Sequence, residues 1–234
     1  MYLFCDVDDT ICPSTKPVGD AMKAEIERLI SAGHLFVFIS GSTLDQIQEQ
    51  LKPINGSYHL LGTSGTACAY IKNHERNGLY KNDMPFYQRQ TIMDAFTKIL
   101  KKYKIPSAED QIQDRGSQVT LSAIGRYADA EDKKNFDPDC SKRKQWAKEI
   151  EAIIGPGYSI KIGGTTSVDI TPYGVDKGWG VKHFLNYMGW DSRQCIFYGD
   201  KLVEGGNDYP VKGILKCVEV KSPEDTLIKL MEYK

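Results

Sequence analysis

Strand and helix signals alternate at both ends of this 234-residue chain, and that alternation restricts the fold more than any other feature. The apolar run Tyr2-Leu3-Phe4-Cys5 reads as a strand. A helix is expected from about Asp20 to Ser31, closed by Gly33, because glycine tolerates the left-handed backbone of a helix end. A strand at 35–39 follows, then a helix from 43 to about 52 with Ile47 and Leu51 on one face. Further on, Thr171-Pro172-Tyr173-Gly174 is a turn into a helix carrying Val181, Phe184, Leu185 and Met188, and Cys195-Ile196-Phe197-Tyr198 is another strand. Such alternation predicts an α/β fold with a doubly wound parallel sheet. Ligands of such sheets bind beyond the carboxyl ends of the strands.

The residues that carry chemistry fall at those ends. The first strand runs into Asp6-Val7-Asp8-Asp9-Thr10. Carboxylates at i and i+2 of an extended segment point to the same side, roughly 7 Å apart at ~3.3 Å of rise per residue. One can attack a phosphorus while the other handles a proton at the leaving oxygen. Three acids closing a buried strand also call for a cation to hold them, although an Asp-rich solvated turn would look similar. The second strand ends in Ser40-Gly41-Ser42-Thr43. Its hydroxyls and the free N–H groups of the next helix suit a phosphate, and simple N-capping by Ser or Thr is compatible with the same pattern. Lys177 opens the later helix, where a cation is unfavourable for the helix dipole, so it is expected to serve a phosphate or a carboxylate; Asp176 reads as the cap. The last strand meets Gly199-Asp200-Lys201, then Glu204-Gly205-Gly206-Asn207-Asp208. Asp200 and Asp208 offer the hard oxygen ligands that Mg2+ prefers.

These four motifs, in this order, resemble those of the haloacid dehalogenase-like phosphotransferase superfamily, and the resemblance spans Asp6 to Asp208. It implies that Asp6 is the nucleophile that becomes an aspartyl phosphate and Asp8 the general acid/base. It implies that Thr10, Ser40, Gly41 and Ser42 bind the phosphoryl group and that Lys177 stabilises its charge. Mg2+ would be held by Asp6, the carbonyl of Asp8 and Asp200, with Asp208 in support.

Between the second and third motifs the alternation breaks. Met84-Pro85 starts a helix through about Tyr103; a strand follows at 117–124, then a polar stretch from Tyr127 to Lys144 that forms core poorly. A helix near 143–154 and strands near 158–162 and 167–171 complete the segment. The expected organisation is a catalytic core, 1–82 with 172–234, and an inserted α+β cap, 83–171, covering the active site. Its position corresponds to a C2-type cap (type IIB) in the superfamily.

Within the cap, Arg115-Gly116-Ser117, Ile124-Gly125-Arg126 and Gly163-Gly164-Thr165-Thr166-Ser167-Val168-Asp169 resemble segments of the eukaryotic-type phosphomannomutases. Ser42-Thr43 and Gln48-Glu49-Gln50-Leu51 fit the second motif of that family. The resemblance implies that Arg115 and Arg126 hold the distal phosphate of a sugar phosphate, a task that suits the planar guanidinium fork. Ser167 and Asp169 would meet sugar hydroxyls or the cap-side phosphate. The pattern departs at Asp9, where glycine is usual, and in Gly62-Thr63-Ser64-Gly65-Thr66-Ala67, which lacks a Glu-Asn-Gly. A basic residue expected after the first motif is displaced, as Lys16, and a further cap cation falls on Lys133 or Lys134. These departures favour a Mg2+-dependent phosphatase acting on a sugar phosphate or similar monoester. The alternative is a hexose-phosphate mutase interconverting mannose 1-phosphate and mannose 6-phosphate. A catalytically silent sugar-phosphate sensor is disfavoured by the intact Asp6, Asp8, Lys177 and Asp200.

Composition agrees with a cytoplasmic enzyme. A net charge of −1 leaves no general basic patch for nucleic acid. No stretch reaches membrane-spanning length, and Met1 leads directly into a core strand without the form of a signal peptide. Six scattered cysteines without a C-x-x-C pair point to a reducing compartment. The four histidines have no metal-ligand spacing. The partner implied is a small phosphate ester, with no nucleic acid and no membrane; a homodimer through the cap is what the mutase resemblance implies.

Overall fold

The computed structural model describes residues 1–233. In chain order, β1 (Tyr2–Asp6), α1 (Asp20–Ser31), β2 (Leu35–Ile39), α2 (Leu44–Leu51) and β3 (Ser57–Gly62) alternate. The hairpin β4 (Ala67–Lys72) and β5 (Glu75–Lys81) follows. Next come α3 (Phe86–Lys102), β6 (Ile112–Asp114), β7 (Val119–Ser122), α4 (Ala130–Phe136), α5 (Ser141–Ile154), β8 (Tyr158–Gly163) and β9 (Ser167–Pro172). The chain ends in α6 (Lys177–Met188), β10 (Cys195–Gly199), β11 (Lys216–Glu219) and α7 (Pro223–Leu230).

Two compact units result. Met1–Lys81 with the chain from Val175 forms one, and Asn82–Gly174 the other. The first is built on a seven-stranded sheet of order β11-β10-β1-β2-β3-β4-β5. The five strands from β11 to β3 run parallel. The alternation of the sequence did not announce the other two, β4 and β5, which pair antiparallel at one edge. Both faces are covered, which explains why the strands are continuous apolar runs rather than alternating ones. Phe36, Phe38, Leu3 and Cys5 pack with Met22, Ile26 and Leu29 of α1 and Ile47 and Leu51 of α2 on one side. Phe4, Val37, Ile39 and Phe197 pack with Val181, Phe184 and Leu185 of α6 on the other. Asp6, Ser40 and Asp200 therefore stand at, or one residue beyond, the carboxyl ends of three adjacent parallel strands.

The second unit has a four-stranded antiparallel sheet of order β6-β7-β9-β8. One face carries Val119, Leu121, Val168 and Ile170 against Ile92, Phe96 and Ile99 of α3 and Trp146 and Ile150 of α5. The polar stretch 127–144 is ordered: α4 forms behind an Asp129 cap whose carboxylate accepts Glu131 N. That stretch also contributes more to the interior than its composition suggests. Asp137 and Arg143 are buried in an ion pair at 2.8 Å, and Phe136 packs on the core. Among the described residues all six cysteines are free, and no helix is long and apolar enough to cross a membrane.

Candidate active site

Four segments converge at the carboxyl ends of β1, β2 and β10. β1 delivers Asp6, which is 3% exposed. The chain then turns at once, with the Val7 carbonyl accepting from Ile11 N at 2.9 Å and Cys12 N at 3.2 Å. Asp9 sits in this turn at φ 61°. That left-handed conformation explains why a glycine would be usual there and why aspartate, which tolerates it better than most residues, is an acceptable replacement. Asp9 also secures the turn through Ser14 N at 3.0 Å.

Lys177 is the first residue of α6, and Asp176 caps that helix through Trp179 N at 2.9 Å. The lysine is 2% exposed. Its ammonium lies 2.5 Å from Asp6 Oδ1 and 2.6 Å from Asp208 Oδ1. Asp208 is fully buried, and its Oδ2 accepts Lys201 N at 3.1 Å. Gly199 makes room for it: a Cβ at that position would stand 2.5 Å from Asp208 Oδ2, closer than any real contact. The unfavourable helix-end lysine of the sequence thus serves two carboxylates. Burial raises the Asp6 carboxyl against the pull of the Lys177 ammonium, and the charge of Asp208 adds to the rise. Burial alone would lower Lys177, but Asp6 and Asp208 outweigh it and leave the ammonium above its ordinary value.

Asp6, Asp200 and Asp208 each present an oxygen within 4.8 Å of the others. Two of these carboxylates face the buried Lys177 ammonium, and the third, Asp200, has the half-exposed Lys201 Nζ 3.1 Å from its Oδ2. Asp200 Oδ1 is buried and has no hydrogen-bond partner among the described residues. A set of hard oxygens with an excess of negative charge and one orphaned lone-pair donor fits a divalent cation such as Mg2+. The Asp8 carboxylate is not part of this cluster. Its Oδ1 accepts Thr15 N at 2.8 Å and Gln50 Nε2 at 3.0 Å, and its Oδ2 accepts the Ser40 hydroxyl at 3.5 Å. Gln50 is a residue to which sequence reasoning gave no role. Its signal was a glutamine on the buried side of α2, beside Ile47 and Leu51.

Thr10 and Ser40 are buried at the same end of the sheet. Thr10 Oγ1 has no partner among the described residues. Ser40 Oγ accepts Ser42 N at 3.1 Å, which fixes the Ser40-Gly41-Ser42 turn. Thr43 caps α2 through a reciprocal box with Gln46. Capping therefore belongs to Thr43, one residue past the turn, and does not occupy the Ser40 or Ser42 side chains.

The other four expected residues lie in the second unit. Arg115 is half-buried and donates from Nη2 to Gln113 Oε1 at 2.7 Å. Burial lowers its guanidinium, Asp169 opposes that, and the charge of Arg126 adds to the lowering. The two arginines therefore sit close enough to repel one another. Arg126 is half-buried beside the Tyr127 ring. Ser167 and Asp169 share β9 and project to the sheet face opposite Val168 and Ile170.

The family profile described as haloacid dehalogenase-like hydrolase matches residues 3–210. The chain is 25% identical to the phosphomannomutase of Saccharomyces cerevisiae, over 97% of the chain and 91% of the yeast protein. It is 27% identical to the phosphomannomutase of Spinacia oleracea, over 97% of the chain and 93% of the spinach protein. Its fold resembles that of a haloacid dehalogenase-like hydrolase from Bacteroides thetaiotaomicron at a TM-score of 0.66, with 12% identity, covering 100% of this chain and 99% of the other.

Proposed function

This chain belongs to the haloacid dehalogenase-like hydrolase family, and from that premise we propose that it is a Mg2+-dependent phosphatase of a sugar phosphate or similar phosphate monoester. The observation that carries the reading is the buried Lys177 ammonium shared between Asp6 and Asp208, with the orphaned Asp200 oxygen beside them. Phosphate monoesters need up to ~10^21-fold acceleration, and an anionic nucleophile meets an anionic substrate only if charge is neutralised first. Mg2+ held by Asp6, the Asp8 carbonyl and Asp200, with Asp208 in support, would supply that neutralisation at the phosphoryl oxygens.

The chain's own residues do the rest. An Asp6 carboxylate oxygen attacks phosphorus while the phosphorus–oxygen bond to the sugar breaks. Asp8 gives its proton to the leaving oxygen, and Gln50 and the Thr15 N–H hold that carboxyl in place. Lys177 offsets the charge that develops on the phosphoryl oxygens. Thr10, Ser40, Gly41 and Ser42 orient the group with hydroxyls and main-chain N–H. Water then attacks the aspartyl phosphate, Asp8 takes the water's proton, and Asp6 is freed with inorganic phosphate. The intermediate divides one difficult displacement into two. Arg115 and Arg126 would bind the far end of the substrate, with Ser167 and Asp169 at its hydroxyls.

The near-complete coverage of the phosphomannomutases favours a second reading, in which the phosphoryl group passes to the other end of the same hexose. Against it stand the departures from the mutase pattern in Gly62-Thr63-Ser64-Gly65-Thr66-Ala67 and at Asp9. The test is incubation with Mg2+ and mannose 1-phosphate or glucose 1-phosphate, with and without the matching 1,6-bisphosphate, following inorganic phosphate and hexose 6-phosphate together. Phosphate release without bisphosphate supports the phosphatase. Bisphosphate-dependent 6-phosphate with little free phosphate makes the chain a mutase.

A further inference from the structure

Three consecutive residues between β3 and β4 hold left-handed backbone: Thr63 at φ 46°, Ser64 at 59° and Gly65 at 90°. Glycine adopts that region freely, serine does so rarely, and a β-branched threonine is an outlier there. Such strain persists only where the surroundings over-determine it. Here main-chain bonds do so. Thr63 N donates to the Ser42 carbonyl at 2.8 Å and Ser64 N to the Ser40 carbonyl at 2.9 Å. The strained turn is therefore bonded to both ends of the Ser40-Gly41-Ser42 segment. Its own shape is held by the buried Thr63 and Thr66 hydroxyls, 2.7 Å apart.

The same turn lies against α6. A Cβ on Gly65 would stand 2.5 Å from Gly180 Cα, and a Cβ on Gly180 would fall on the Ser64 carbonyl. Glycine weakens a helix interior relative to alanine, so this close approach of two backbones is the physical reason for Gly180. Gly180 stands three residues after Lys177, in the first turn of α6. The strained turn thus meets the Ser40-Gly41-Ser42 segment through hydrogen bonds and the Lys177 helix through backbone packing. We propose that it is a spacer: Thr63, Ser64 and Gly180 are positioning residues that set the separation between the Ser40-Gly41-Ser42 segment and the Lys177 ammonium, so that both meet one phosphoryl group. The inference rests on the proposed phosphoryl-transfer reading and deepens it. Spacing of this kind matters because a misplacement of ~1 Å can cost ~10^2-fold in rate.

The test compares Gly180→Ala, Thr63→Val and Thr63→Ser with the native chain in Mg2+. It reads kcat on mannose 1-phosphate and p-nitrophenyl phosphate, and the Ki of orthovanadate, an anion that mimics the phosphoryl transition state. Gly180→Ala pushes the Ser64 carbonyl, and with it the Ser40-Gly41-Ser42 segment, away from α6. It should lower kcat ~10-fold or more on both esters and raise the orthovanadate Ki by a similar factor. Thr63→Val removes the hydroxyl that meets Thr66 and adds nothing at the helix contact. It should move kcat and Ki together by about threefold or more, and Thr63→Ser should recover most of that change. If Gly180→Ala does not fold, the Thr63 pair carries the test alone. A mere loss of folded protein lowers kcat and leaves Ki alone. Variants whose Ki stays native, whether or not kcat falls, therefore overturn the inference and leave the phosphatase reading standing. If the native chain turns over neither ester with Mg2+, the activity reading fails instead. Calorimetric binding of orthovanadate then decides: weaker binding in Gly180→Ala or Thr63→Val sustains the inference, and unchanged or absent binding overturns it.

Discussion

Removing Arg143 should unfold the second unit far more readily than its place in a polar stretch suggests. The guanidinium is 1% exposed. It donates to Asp137 Oδ2 at 2.8 Å, to the Asp137 carbonyl at 3.1 Å, to the carbonyls of Gly163 and Gly164 at 3.0 Å each, and to Cys140 Sγ at 3.1 Å. At 2.8 Å the attraction between the two charges is about 6 kcal/mol for an effective dielectric of 20. Desolvating both ions offsets much of that gain, so the pair as a whole contributes little net stability. The single deletion is different. Arg143→Met strands a buried carboxylate with only the Lys142 and Arg143 main-chain N–H groups, at 3.1 Å each, and should cost ~3–5 kcal/mol. Adding Asp137→Leu should return ~2 kcal/mol or more, because the stranded charge is gone. Native-state hydrogen exchange over 141–154 and 158–172 reads the opening free energy of this unit directly. A cost below ~1 kcal/mol for Arg143→Met, or two single effects that add within ~0.5 kcal/mol, would refute the reasoning. The pair also has a pH signature. Although burial raises the Asp137 carboxyl, the Arg143 side chain and the N–H donors pull it below its ordinary value overall. Its stabilisation is therefore complete above the unfolded carboxyl's pKa of ~3.9 and is lost as pH falls through the lower folded value. Arg143→Met should shrink that acid-dependent loss, because only the main-chain donors then hold the carboxyl down.

Lys177→Ala should lower kcat at least ~10^2-fold on any phosphate ester, since it removes charge stabilisation at the reacting oxygens; a KM effect alone would contradict the role. Arg126→Ala should raise KM for a hexose phosphate and leave p-nitrophenyl phosphate within about twofold, as expected for a group binding the distal end; equal effects would remove Arg126 from the substrate site. Chelation with EDTA should abolish turnover and Mg2+ should restore it, a result that Asp200→Ala should prevent. Asp9→Val should lower stability by ~1–2 kcal/mol, because a β-branched residue is forced into a left-handed turn, whereas Asp9→Gly should leave the melting temperature unchanged or higher; a neutral valine would show that the turn relaxes.

The sequence disclosed most where chemistry sits on a boundary. Asp6, Ser40 and Asp200 each end an apolar run, so strand, polarity and position all pointed to one place in the sheet. Lys177 was legible because it opposes the helix dipole. Residues that hold these groups were harder to see. Gln50 is marked in the sequence only as part of the Gln48-Glu49-Gln50-Leu51 segment, and its own role shows once its amide is seen bonded to Asp8. Arg143 and Asp137 lie among exposed charges, and nothing in a linear pattern distinguishes the buried pair from its solvated neighbours. The edge strand β5 begins Glu75-Arg76-Asn77-Gly78, which carries neither alternation nor apolar residues; pairing with β4 makes it a strand. β6 is only three residues long and exists by its ladder to β7.

The strand order has a consequence for how this chain is made. β1 is bracketed by β2 and β10, so the strand ending in Asp6 has one neighbour about thirty residues away and the other nearly two hundred. During synthesis, its second edge stays unpaired until β10 has emerged. The contacts of Asn82–Gly174 close within one contiguous stretch, so that unit can assemble early, whereas the catalytic sheet waits for the return of the chain. A nascent chain halted after Gly174 would present a bare, apolar Leu3-Phe4-Cys5 edge, the kind of template that recruits other strands. The most dangerous interval in the life of this protein lies between residues 175 and 199, before β10 closes the sheet and Asp200 joins the other carboxylates.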